Sequence, residues 1–111
     1  MTLIVIKLRG TTDFIQNYLL TLDSVAVVES DKYVRESPTI KIHVVPPTGK
    51  KEEIVESIID GKLFQFHPQI IAVESPVKIT HKMKQFLRNG GIIVVFERGP
   101  GNNIEIETIN E

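Results

Sequence analysis

Four short runs rich in isoleucine and valine constrain this chain more than any other feature: residues 3–8 (Leu-Ile-Val-Ile-Lys-Leu), 25–29 (Val-Ala-Val-Val-Glu), 69–74 (Gln-Ile-Ile-Ala-Val-Glu) and 92–97 (Ile-Ile-Val-Val-Phe-Glu). Each is too short for a buried helix and rich in β-branched residues, so each reads as a strand. None alternates apolar with polar residues. A strand without alternation is buried on both faces, which is the habit of a parallel sheet covered by helices.

The segments between the runs supply the helices. Phe14, Ile15, Tyr18, Leu19 and Leu22 share one helical face, and Asp13 with Gln16 fits a capping box. Ile54, Val55, Ile58 and Ile59 mark a second helix over 50–60, with Gly61 as its C′ residue. A third is expected over 76–88, where Ser75 caps, Pro76 occupies the first position, and Asn89-Gly90-Gly91 ends it. Its core face is Ile79, Met83, Phe86 and Leu87.

Two segments alternate instead. In 39–45, Ile40, Ile42 and Val44 oppose Lys41 and His43, which reads as a half-exposed strand near an edge. In 104–109, Ile-Glu-Ile-Glu-Thr-Ile reads as an edge strand with its acids outward. The turn 98–103 before it suggests an antiparallel hairpin with 92–97. Residues 62–68 fit neither pattern.

The order is therefore β-α-β-β-α-β-α-β-β. The expected fold is one α/β domain over 1–111: a compact three-layer α/β/α sandwich with a mostly parallel sheet and a C-terminal antiparallel hairpin, Rossmann-like or flavodoxin-like in broad class. At 111 residues, with 41% apolar and 24% charged residues, one core suffices.

Composition narrows the function. A net charge of −1 gives no general basic surplus for nucleic acid. The absence of cysteine excludes disulfides, thiol catalysis and thiolate metal sites. The first residues read as a strand and not as a signal peptide, and no apolar run approaches a membrane span, so the expected location is the cytoplasm, with no membrane partner. An Ile/Val-rich, cysteine-free chain with abundant Lys and Glu is also compatible with a thermophilic source.

Two groups of residues are candidates for a site. In a parallel sheet, ligands bind beside the carboxyl ends of the strands. Those ends carry Arg9, Gly10, Glu29, Glu74, Glu97 and Arg98. Converging there, the carboxylates would suit a divalent cation or acid–base work, and the arginines an anionic ligand. The plainer reading is that Glu is common punctuation where a strand leaves the core, and that Ser75 is a helix cap. The second group is a basic stripe of Lys78, His81, Lys82, Gln85 and Arg88 on the third helix, suited to phosphates or an acidic partner, or simply to solvent. Lys32-Tyr33-Val34-Arg35 offers a weaker base-stacking candidate.

Other motifs fail. Thr48-Gly49-Lys50-Lys51 lacks the upstream glycine of a phosphate-binding loop, and Gly10 stands without the further glycines of a dinucleotide fingerprint. His43, His67 and His81 have no metal-ligand spacing, so no metal and no particular cofactor is indicated.

Three functions remain, in this order. The first is a non-catalytic interaction or regulatory module acting by self-association or through a protein partner. The second is nucleic-acid binding through the basic face of helix 76–89. The third is small-molecule or nucleotide binding, with or without catalysis, at the strand ends.

Overall fold

The computed structural model describes residues 2–22, 25–29, 42–44, 50–63 and 67–110, with 42–44 described as backbone only. The loop candidate at 32–35, the side-chain alternation of 39–45 and the apolar pair Phe64 and Phe66 lie outside the described residues. The elements run β1 (Thr2–Gly10), α1 (Thr12–Leu20), β2 (Val25–Val28), β3 (Ile42–Val44), α2 (Lys51–Ile59), β4 (Ile70–Glu74), α3 (His81–Arg88), β5 (Ile92–Arg98) and β6 (Asn103–Asn110). The order is the expected one, in a mixed, mostly parallel α/β sheet.

The sheet order is β3-β2-β4-β5-β1-β6. All neighbours are parallel except β6, which runs antiparallel to β1. This corrects the expected hairpin: β6 is not beside β5, because β1 lies between them. The connection 99–102 is as tight as a hairpin turn, but it steps over the end of β1. Gly99 donates its N–H to the Gly10 carbonyl at 2.9 Å, and the Thr11 N–H donates to Asn102 Oδ1 at 3.3 Å. A short turn specifies reversal of direction but not which strand sits alongside. The order also departs from both doubly wound arrangements, in which the first βαβ unit joins neighbours; here β4 and β5 separate β1 from β2.

The strands alternate between two faces, each with its own core. On the front face, Leu8, Val25, Val27, Ala72, Val94 and Phe96 are buried with Ile15 and Leu19 of α1. On the back face, Val5, Val28, Ile71, Val73 and Ile93 are buried with Val55 and Ile58 of α2 and Met83 of α3. β-Branched residues thus serve both faces of the same strands, which is why their sequence does not alternate.

Two caps differ from expectation. α1 is capped by Thr11, whose side chain accepts from the Phe14 N–H at 3.2 Å, while Asp13 sits in the first turn. α3 begins at His81, five residues after the expected Pro76 start. Thr80 Oγ1 accepts from the Met83 N–H, and Met83 Sδ accepts from the Thr80 N–H, each at 3.4 Å. Ser75 instead extends the sheet, donating its N–H to the Phe96 carbonyl at 2.8 Å, and the Ser75–Pro76 peptide is cis. Residues 76–80 are non-helical, with Val77 and Ile79 against the back core and Lys78 exposed between them. At the end of α2, Gly61 adopts φ +71° as the expected C′ residue.

Candidate functional site

The upper edge of the sheet, where the parallel strands end, is where a site is expected. β2 feeds outward to β3, whereas β4 feeds the other way to β5, so their upper ends flank a switch point. Register places Glu29 and Glu74 there on the front face, beside the side chain of Arg98 from β5. Arg98 Nη2 lies 3.4 Å from Glu29 Oε1, and Nη1 donates to Glu74 Oε2. Its guanidinium also lies over the Phe96 ring, 5.7 Å from the centroid. Glu29 is only 5% exposed, and Arg98 brings a counter-charge to it in a site with little water.

Lys51 ties α2 to the end of β4. It is buried in the first turn of α2, and its ammonium donates to the Glu74 carbonyl at 2.8 Å. Lys51 is not among the residues that the strand-end pattern of the sequence marks. The available signal was its position: a lysine in the first turn opposes the helix dipole, so something else must favour it.

The other strand-end candidates separate. Arg9 and Glu97 are register partners on the back face, away from Arg98. With Lys7, Ser75, Asn103 and Glu105 they line a groove of about 150 Å³. Gly10 is a packing position: a Cβ there would come within 2.4 Å of the Phe14 ring and 2.7 Å of Asn102 Oδ1. The six candidates thus form a clamp of Glu29, Glu74 and Arg98, a separate Arg9/Glu97 pair, and one glycine that seats α1. Among the described residues, no group of three or more His, Asp or Glu is arranged to hold a metal ion.

The basic stripe is shorter than expected. Lys78 precedes α3 and leaves its face, and His81 and Gln85 approach each other at 3.4 Å. Lys82 forms an ion pair with Asp60 at 2.6 Å, linking α3 to α2. Beside it lies a cavity of about 270 Å³ between the two helices, lined by Ile58, His67, Gln85 and Phe86 among others. Its hydrogen bond to the Asp60 carboxylate holds the Lys82 ammonium above its ordinary pKa of 10.5. A raised lysine pKa contributes stability below the unfolded value and loses it as pH rises through the folded one. The thermal-stability difference between the wild type and Lys82→Met should therefore be constant across neutral pH and shrink above about pH 10.5. A difference that persists through strongly alkaline pH would show that Lys82 acts by packing alone.

A further surface was not anticipated. The acids Glu105 and Glu107 are exposed, as expected of an edge, but so are the isoleucines that alternate with them. Ile104 is 50% exposed and Ile106 69%, with Ile4 of β1 at 54% and Ile92 of β5 at 41%. Register puts all four on the front face, with the half-buried Ile6 among them. The reason lies in α1. Nine helical residues span about 13 Å, whereas nine strand residues span about 30 Å. α1 starts at the upper end of β1 and leads away toward β2, so among the described residues no helix lies over the outer and lower part of the front face.

No family model, curated protein or solved structure matches this chain. No helix among the described residues is long and apolar enough to cross a membrane.

Proposed function

We propose that this chain is a non-catalytic interaction module and that the isoleucine band on β5, β1 and β6 is its docking surface. In the same reading the fold is a three-layer α/β/α sandwich whose front layer, α1, stops short of this band. One observation carries the proposal. The same outer strands leave the helices on both faces and meet that exposure in opposite ways. On the back face the uncovered positions are Lys7, Arg9, Glu97, Asn103, Glu105 and Glu107. On the front face they are Ile4, Ile92, Ile104 and Ile106, with the uncharged Thr2, Thr108 and Asn110 at the lower end. A chain that places charges on one open surface and a contiguous aliphatic band of a few hundred Å² on the other supports a covered front face.

The alternatives have less behind them. The charged back groove favours a small ligand, but about 150 Å³ is below the usual size of such sites. The basic helix has lost Lys78 and has Lys82 engaged by Asp60.

Photocrosslinking in the host cell tests the proposal. A photoreactive residue at position 106 should give covalent protein adducts, while one at the exposed Glu53 position of α2 should not. Absence of adducts from 106 would sink the reading.

A further inference from the structure

We infer that the occupant of the isoleucine band is a second copy of this chain, packed sheet against sheet about a twofold axis, and not a strand added to the edge of β6. The inference rests on the docking-surface reading above and adds the partner's identity.

Its first support is chemical character. The band is aliphatic, with neither an aromatic ring nor a charge among Ile4, Ile6, Ile92, Ile104 and Ile106. Surfaces built for an independent, exchangeable partner are anchored by Trp, Tyr and Arg. Lasting homodimer interfaces resemble a domain core cut in half. This band has the composition of the chain's own core, where Val5, Val28, Val73, Ile71 and Ile93 pack together.

The second support is shape and area. A twofold interface uses the same patch twice, so the patch must be complementary to itself. A sheet face without projecting rings or charges meets that condition, and two such faces pack about 10 Å apart with their side chains interdigitated. The exposed isoleucines offer roughly half of the ~800 Å² that each partner contributes to a standard interface. Thr2, Thr108 and Asn110 lie on the same face at its lower end and supply a polar rim.

The third support is charge. If β6 paired with its own copy edge to edge, antiparallel and centred on Ile106, Glu105 of each copy would face Glu107 of the other. Like charges directly opposite destabilise a sheet. Packing front face to front face leaves both acids on the back face, where Glu107 lies 3.6 Å from Lys7.

Sedimentation of the purified chain across micromolar to millimolar concentration tests the inference. The wild type should sediment at twice its 12.5 kDa chain mass. Ile106→Lys enters a symmetric interface twice and should raise the dimer dissociation constant about a hundredfold or more. Its circular dichroism should stay native, because the side chain is already 69% exposed. Glu107→Lys should leave the association unchanged. Three results overturn the inference: a wild type that stays at 12.5 kDa throughout, a dimer that survives Ile106→Lys, or a dimer tightened by Glu107→Lys, the signature of edge pairing. A monomeric wild type whose residue-106 crosslinks reach a different protein would remove the second copy and leave the docking surface standing. A monomer with no adducts would remove both.

Discussion

Replacing Arg98 with methionine should destabilise the folded chain by about 3 kcal/mol, read by urea denaturation at neutral pH. The substitution keeps much of the aliphatic stem over Phe96 and removes the guanidinium between Glu29 and Glu74. An exposed ion pair would be worth well under 1 kcal/mol, because water replaces the lost partner. Here water has little access: the side chains of Glu29 and Glu74 are 7% and 13% exposed. The loss is therefore chiefly the cost of leaving carboxylates in a dry site, not the strength of the original attraction. That account predicts a rescue. Adding Glu29→Gln and Glu74→Gln to Arg98→Met should recover more than half of the lost stability, since the amides carry no charge to desolvate. A loss below 1 kcal/mol, or a triple variant no better than the single one, would show that the clamp is not what holds these strand ends together.

The clamp and the isoleucine band differ in how far the sequence reveals them. The four buried runs and the helix faces are local, periodic signals, and they gave the elements in the right order. The ends of strands also marked Glu29, Glu74 and Arg98, because any parallel sheet brings such residues to one edge. What local pattern does not carry is lateral order. Nothing in 92–110 says that β1 inserts between β5 and β6, and that insertion alone turns the expected hairpin into two strands that do not touch. It also decides the faces, placing Arg9 with Glu97 behind the sheet and Arg98 with Glu74 in front.

The same limit hid the exposed isoleucine band. The alternation Ile-Glu-Ile-Glu implies one apolar and one charged face, and it is natural to turn the apolar face toward the core. That inference needs a helix above the strand. α1 is too short, and leads in the wrong direction, to cover β6. The start of α3 departs from the local signal for a different reason. Ser-Pro is a strong local start signal, but Ser75 is held in the ladder by the Phe96 carbonyl, so the chain turns helical only at the next good cap, Thr80.

Phe96→Ala should be at least as damaging as loss of Arg98, at about 4 kcal/mol, a large share of what a domain of this size has in total. Phe96 is fully buried among the large side chains of the front core, with Leu8, Ile15, Leu19 and Val94 in the same cluster. Truncation removes the transfer energy of a ring and leaves a cavity that a β-sheet, pinned by hydrogen bonds on both sides, cannot collapse to fill. Phe96→Leu should cost clearly less, because part of the volume is kept. The informative measurement is the double-variant cycle with Arg98→Met. The ring lies directly beneath the guanidinium, so it both shields the Arg98–Glu74 contact from water and offers its π face to the cation. Removing either should weaken what the other contributes, so the two losses together should fall short of their sum by about 1 kcal/mol. Strict additivity would mean that the core and the clamp are separate structures that happen to adjoin. Coupling would mean that the front core, β5 and the strand-end clamp form one cooperative unit beneath α1.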